Sequence, residues 1–82
     1  MLSNPNTFPL SQAPKGRALI LNNIEGGRKF NHRLVELGLT PGVRLRVLQD
    51  SGGPLIIAVR DSRLALGRGM AKQIFVSVVE EA

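Results

Sequence analysis

The sequence predicts an all-β domain, a small β-barrel of about five strands with one short α-helix between the first and second strands. Short apolar segments are separated by turn residues along most of the chain, and only one stretch has the pattern of a helix. Pairing the last segment with the first would remove most of the unpaired edges that a flat sheet of this size exposes. The predicted strands are residues 18–24, 44–49, 55–60, 63–66 and 74–79.

The helix is predicted to begin at Asn31, a favourable N-cap whose side chain can accept a hydrogen bond from a free backbone N–H. Phe30, just before it, is placed to pack on Val35. Gly38 is expected to end the helix, because glycine adopts the left-handed conformation without steric cost. A helix of about two turns is not stable alone in water, so we expect it to dock on the barrel.

One turn is predicted before the second strand and another after the third. In residues 40–43, Pro41 fixes φ at the second turn position and Gly42 permits a positive φ at the third. Asp61 and Ser62 have the right spacing for a tight two-residue turn into the fourth strand. Residues 67–73 are predicted to form a bend or one helical turn.

Residues 33–47 read Arg-Leu-Val-Glu-Leu-Gly-Leu-Thr-Pro-Gly-Val-Arg-Leu-Arg-Val. This pattern resembles the ferrous iron transport protein A (FeoA) family, and the Leu-Gly-Leu-x-Pro-Gly element is its most specific part. Leu10-Ser11 with Gly16 and the Leu-Ala-Leu of residues 64–66 also match, so the resemblance spans residues 10–80. The loops at residues 51–54 and 67–70 depart from the family pattern, so functions tied to them are not carried over.

The resemblance implies an SH3-like barrel and a small cytoplasmic accessory protein of bacterial ferrous iron uptake. It implies action by protein–protein interaction with the cytoplasmic GTPase domain of the membrane permease FeoB, and association with the membrane through that partner only. Two alternatives remain open at this point. One is a nucleic-acid-binding SH3-like module, and the other is an SH3-like regulatory domain related to iron-dependent repressors.

At 82 residues the chain is expected to form one domain, residues 10–82, preceded by a flexible N-terminal lead-in, residues 1–9. The lead-in has no apolar periodicity and contains several turn residues. The sequence has no 18-residue apolar run and no signal-peptide pattern at its start, and it contains no cysteine. These features predict a cytosolic protein without disulfides or thiolate metal sites.

The net charge is +5, and all eleven Lys and Arg fall between Lys15 and Lys72. Such a basic body suits nucleic acid, an anionic membrane face or an acidic protein surface, although surplus arginines that serve solubility explain it equally well. The chain has only three phenylalanines and no Tyr or Trp. Nucleic acid is therefore an unlikely partner, since single-strand binders pair basic stripes with stacking aromatics.

The residues that support catalysis or metal binding are few. His32 is the only histidine, and a helix N-terminus disfavours its protonated form. Asp50 and Asp61 lie in separate turns, where aspartate commonly bonds local backbone N–H groups. We therefore predict no enzyme activity, no cofactor and no metal site built by this chain alone.

The predicted partner-binding residues lie on and beside the helix. Phe30, Leu34 and Leu37 form an apolar ridge that is expected to pack mainly on the core. Over so small a barrel, part of Leu34 or Val35 is expected to stay exposed as a docking patch. The predicted site comprises Arg33, Leu34, Val35, Glu36 and Leu37, with Gly38, Pro41 and Gly42 as structural turn residues.

Overall fold

The computed structural model describes residues 6–80, in which six antiparallel strands form one sheet and two short α-helices connect them. A 3-10 helix follows the first strand. The strands are β1 (Phe8–Pro9), β2 (Leu19–Ile24), β3 (Arg44–Asp50), β4 (Leu55–Val59), β5 (Ser62–Leu66) and β6 (Ile74–Val78), and the helices are the 3-10 helix (Leu10–Gln12), α1 (Arg28–Glu36) and α2 (Arg68–Ala71). The strand order is β1-β6-β2-β3-β4-β5.

The predicted all-β class is confirmed. The five predicted strands correspond to β2 through β6, each within about two residues of its expected bounds. The first and last predicted strands pair as expected, with Leu19 opposite Val78 and Ile24 opposite Ile74. The helix α1 lies between the first two predicted strands, and α2 is the single helical turn expected in residues 67–73.

The sixth strand, β1, falls inside the segment predicted as a flexible lead-in. Phe8 and Pro9 pair with Val76 and Phe75 of β6, so the prediction for residues 1–9 is wrong at its end. Residues 1–5 of the lead-in, and residues 81–82 of the predicted domain, lie outside the described residues. A two-residue strand is too short to show a period of two, so its pairing depends on β6 and not on its own sequence.

The turn between β4 and β5 is one residue earlier than predicted. Val59 pairs with Ser62, which leaves Arg60 and Asp61 as the two turn residues. Arg60 has φ 55°, and it is the one non-glycine residue with positive φ among the described residues. Left-handed backbone is expected at this turn position, where glycine is the preferred residue.

The core is formed by the inward faces of the strands together with Leu34 of α1, Leu10 of the 3-10 helix, Ala71 of α2 and the loop residues Ala13 and Leu39. In β3, Leu45 and Val47 are buried while Arg44 and Arg46 are exposed, as expected for a strand with one face on the core. Leu19 and Leu21 of β2 and all three odd-numbered residues of β4 are buried in the same cluster. The residues of β3 and β4 outside the core include Arg44, Arg46, Leu48, Ile56 and Ala58.

The two end strands of the sheet, β1 and β5, are joined by side-chain and helix contacts. β5 leads into α2, and α2 packs against the 3-10 helix that follows β1. Arg68, the first residue of α2, donates hydrogen bonds to the carbonyl oxygens of Gly52 (3.3 Å) and Ser11 (3.4 Å). It also pairs with the Asp50 carboxylate at the end of β3. One side chain therefore connects the β3–β4 hairpin, α2 and the segment after β1.

Arg68→Ala should lower the free energy of unfolding by about 1–2 kcal/mol. The substitution removes charge-assisted hydrogen bonds to the β3–β4 hairpin and to the 3-10 helix, and the effect is moderated because the Arg68 and Asp50 side chains are 31% and 27% exposed. Urea denaturation followed by circular dichroism measures the change. Arg63→Ala, at an exposed position of β5, is the matched control and should change stability by less than about 0.5 kcal/mol. Equal stability of the two variants would show that Arg68 does not hold the ends of the sheet together.

Candidate functional site

The site is built on α1, whose N-cap lies four residues before the predicted one. Its N-cap is Gly27, which provides no side-chain cap. Asn31 lies inside the helix, and its Nδ2 donates to the carbonyl oxygens of Gly26 and Gly27, each at 3.0 Å. The predicted Asn31 N-cap is therefore wrong, because the side chain acts as a donor to the preceding turn and not as an acceptor for helix N–H groups.

The predicted packing of Phe30 on Val35 is also wrong. Phe30 is a helix residue that packs against the core and lies over Gly26, where an added Cβ would come 2.5 Å from Phe30 Cδ2. Val35 is 54% exposed. Two residues five apart within a helix do not share a face, so an earlier helix start removes this contact.

The C-terminal end of α1 confirms the predicted role of Gly38. Gly38 has φ 86°, its N–H bonds the Val35 carbonyl oxygen at 2.9 Å, and the Leu39 N–H bonds the Leu34 carbonyl oxygen at 2.8 Å. These two bonds define a Schellman motif, whose usual hydrophobic pair here is Leu34 and Leu39. Both leucines are fully buried in the core, so the motif fixes the rotation of α1 about its axis.

The predicted turn after α1 is confirmed as well. Gly42 has φ 94°, and the Val43 N–H bonds the Thr40 carbonyl oxygen at 3.0 Å across Pro41. Two backbone hydrogen bonds of Leu21 hold the turn to β2. The Leu21 carbonyl oxygen accepts from the Gly42 N–H at 2.8 Å, and the Leu21 N–H donates to the Val43 carbonyl oxygen at 2.9 Å. The position of α1 relative to the sheet is therefore set by backbone hydrogen bonds on the C-terminal side of the helix.

Four of the five predicted partner-binding residues are on the surface. Leu34 is fully buried, so it does not belong among the partner-binding residues, and its expected packing on the core is confirmed. It is the one buried residue of α1, while Phe30 is partly buried beside it. Val35 and Leu37 are 54% and 39% exposed. At 100° per residue they lie on opposite sides of the buried Leu34, and the outer surface of α1 lies between them.

That outer surface is polar and mostly cationic. We call it the α1 outer strip, formed by Arg28, Lys29, His32, Arg33 and Glu36. His32 Nε2 lies 3.6 Å from Glu36 Oε2, and both side chains are largely exposed, so this pair contributes little to stability. The first turn of α1 contains Arg28 and Lys29 and no acidic residue. Cations at a helix N-terminus oppose the helix dipole, so these residues are not there to stabilise the helix.

The remaining candidate residues do not come together. Among residues 6–80, no three His, Asp or Glu side chains are grouped in a way that could hold a metal ion. Asp50 accepts a hydrogen bond from the Gly52 N–H at 3.2 Å, as expected for a turn aspartate, and its pairing with Arg68 was not predicted. No helix in the described residues is long and apolar enough to cross a membrane.

Comparison with known proteins gives the family and the fold. The FeoA domain model matches residues 8–78. A protein of Methanocaldococcus jannaschii, named provisionally as Fe(2+) transport protein A, is 37% identical over 73 residues, which are 89% of each chain. A crystal structure of an iron uptake regulatory protein (FeoA) is 39% identical, covers 89% of this chain and 99% of its own, and superposes with a TM-score of 0.84.

Two further structures confirm the predicted SH3-like barrel and widen the comparison. The FeoA of Stenotrophomonas maltophilia, described as an SH3 domain protein and solved in complex with zinc, is 26% identical with a TM-score of 0.76, covering 85% of this chain and 89% of its own. A manganese-dependent transcriptional repressor has a TM-score of 0.83 over 95% of this chain and 45% of its own. Its identity is 21%, so this likeness shows the fold alone.

Gly38→Val should destabilise the protein by more than about 1 kcal/mol through backbone strain. An added Cβ at Gly38 meets nothing within 4 Å, so the cost comes from φ 86° and not from a clash. Gly53→Val is the matched control, since that glycine has open space and no positive φ. Thermal melts compare the two, and an unchanged melting temperature for Gly38→Val would contradict the left-handed end of α1.

We predict that the isolated chain has no tight Fe²⁺ or Zn²⁺ site, because His32 and the carboxylates of residues 6–80 do not supply three grouped ligands. Calorimetric titration with each metal should show no stoichiometric sub-micromolar binding. Such binding, abolished by His32→Ala or by removal of one carboxylate, would overturn the prediction.

Proposed function

The chain belongs to the FeoA family, and we propose that it assists ferrous iron uptake by binding the cytoplasmic GTPase domain of the membrane permease FeoB through α1. In this proposal the protein is a cytoplasmic accessory factor that acts by protein–protein interaction, without catalysis and without a cofactor. The family assignment and the iron-transport names of its relatives support the process. The geometry of α1 supports its outer side as the surface that contacts the partner.

The observation that carries the proposal is the exposure of apolar side chains on a rigidly placed helix. Leu34 fixes α1 to the core from below, and the Schellman motif fixes its end. Val35 and Leu37 remain exposed, although a domain with a small core would gain stability from burying them. A helix held in this way needs no rearrangement to dock, which lowers the ordering cost of binding.

The charge of the α1 outer strip supports an acidic contact surface on the partner. Arg28, Lys29 and Arg33 contribute three positive charges, against one carboxylate from Glu36. Two of these cations sit where they oppose the helix dipole. Surface residues that oppose the stability of their own helix are typical of a functional site. Val35 and Leu37 would then be apolar contacts at the two margins of a charge-complementary interface.

Val35→Glu should weaken the complex with the FeoB cytoplasmic domain by about tenfold to a hundredfold. The change replaces a half-exposed apolar contact with a charge that must lose water on binding. Calorimetry or biolayer interferometry with the two purified proteins measures the affinity. Leu34→Gln is not a usable probe, because Leu34 is fully buried and its substitution acts on folding.

Leu48→Glu is the matched control, since Leu48 is an exposed apolar residue of β3 (38% exposed) and undergoes the same chemical change away from α1. It should leave the affinity within about threefold. Arg33→Glu should mainly change the salt dependence and the association rate. Each variant must first show a native melt. Equal affinity of parent and Val35→Glu would remove α1 from the interface, and tight RNA binding with no FeoB binding would favour the nucleic-acid alternative.

A further inference from the structure

The outward face of β3, β4 and β5 carries a second cationic surface that the proposed partner contact does not use. Arg44, Arg46 and Arg60 line a shallow cleft of about 260 Å³ together with Ala18, Leu45 and Ala58. In the strand register, Arg46 lies opposite Ala58 and Ala58 lies opposite Arg63. Two arginines therefore stand on either side of a small residue in one cross-strand row. We call this surface the sheet arginine face, formed by Arg44, Arg46, Arg60 and Arg63.

Backbone contacts place further positive charge beside this face. The Gly16 N–H donates to the Val47 carbonyl oxygen at 2.9 Å, and Gly16 in turn accepts a hydrogen bond from Arg46 Nη1 at 2.6 Å. Its neighbours Lys15 and Arg17 are both exposed, and they are thereby held along the edge of β3. Among residues 6–80, the acidic residues in the elements of this face are Asp50, which pairs with Arg68 at the end of β3, and Asp61 in the β4–β5 turn.

We propose that the sheet arginine face docks on the phosphate groups of an anionic phospholipid membrane surface. The proposal takes only the location from the proposed function, because a partner of a membrane permease works next to the anionic cytoplasmic leaflet. It goes beyond attachment through that permease alone. In this arrangement α1 contacts protein and the sheet arginine face contacts lipid.

The arginines are spread over one face of the sheet, which suits several headgroups that lie in a plane. Arg44 and Arg46 are two residues apart on one strand, about 7 Å, and Arg46 and Arg63 lie two strands apart, about 10 Å. Arg46 is held to Gly16, so Arg44, Arg60 and Arg63 are the side chains that contact lipid in this proposal. Ala58, which lies between the arginines, has a short side chain that does not keep them away from a flat layer.

The composition of the face argues against nucleic acid as its occupant. The three phenylalanines lie in β1, α1 and β6, so none lies on β3, β4 or β5. Single-stranded nucleic acid is held by stacking on aromatic side chains as well as by charge. Lipid headgroups require charge alone, because each basic residue near an anionic surface gains free energy without a stacking platform.

The test is co-sedimentation of the full chain with vesicles of phosphatidylglycerol and phosphatidylcholine mixed in equal amounts, and with vesicles of phosphatidylcholine alone. We expect binding to the anionic vesicles at low salt, loss of that binding as sodium chloride is raised, and no binding to neutral vesicles. The variant is Arg44→Gln/Arg60→Gln/Arg63→Gln, which leaves Arg46 in place to hold Gly16. Its partition coefficient should fall by about a hundredfold, at about fivefold per arginine.

The matched control is Arg28→Gln/Lys29→Gln/Arg33→Gln, which removes the same number of positive charges from α1. It should lower vesicle binding by well under tenfold, and Val35→Glu should leave it unchanged. Both triple variants must melt like the parent. Because FeoB is absent from this assay, failure of the proposed α1 contact does not affect its result.

Three results would overturn the proposal. Equal loss of vesicle binding in the two triple variants would show that net charge acts without a defined face. Release from the vesicles by inorganic phosphate well beyond that caused by chloride at equal ionic strength would indicate a single-anion site. Tighter binding to single-stranded RNA than to anionic vesicles, lost in the sheet triple variant, would make the face a nucleic-acid surface.

Discussion

The fold depends on closing a sheet whose end strands do not pair with each other in the described residues. The order β1-β6-β2-β3-β4-β5 leaves β1 and β5 at the margins, and the link between them is made by α2, the 3-10 helix and Arg68. Arg68 spans segments that are far apart in sequence, from Ser11 to Asp50 and Gly52. A chain of this size buries only about 60% of its surface, so a contact that joins three segments matters more than it would in a larger core.

A second constraint, at Leu21, sets the positions of both proposed surfaces. Its backbone bonds to Gly42 and Val43 hold the turn between α1 and β3 against β2. On one side of this turn, the Schellman motif directs Leu34 inward and leaves Val35 outside. On the other side, the strand starts in a register that buries Leu45 and exposes Arg44. The protein contact and the lipid contact that we propose are thus placed by one short turn.

Local chemistry explains which parts of the structure could be predicted from the sequence. The apolar segments between turn residues located β2 through β6, and the left-handed requirement located Gly38 and Gly42, because both signals arise within a few residues. The missed features depend on distant partners. β1 exists because β6 offers an edge, and Arg68 was not singled out because its partners lie in other segments. The N-cap prediction at Asn31 was wrong because an asparagine near a helix start can also donate hydrogen bonds to carbonyl oxygens.

The candidate site remains a prediction, and the structure changes its membership. Four of its five residues are exposed on or beside α1, whereas Leu34 is buried in the core. Which leucine of a short helix is buried depends on the rotation of the helix about its axis. Here that rotation is fixed by the burial of Leu34 and Leu39 in the core and by the Schellman hydrogen bonds. Periodicity alone does not give this rotation over about two turns.

The most direct test of the account is an NMR titration of the ¹⁵N-labelled chain with the unlabelled FeoB cytoplasmic domain. We expect chemical-shift changes or line broadening to concentrate in residues 28–37, including Val35 and Leu37, while the amides of Arg44, Arg60 and Arg63 stay unchanged. This pattern would identify α1 as the protein contact and would be compatible with lipid contact by Arg44, Arg60 and Arg63. Changes confined to β3, β4 and β5, with α1 unaffected, would contradict the account.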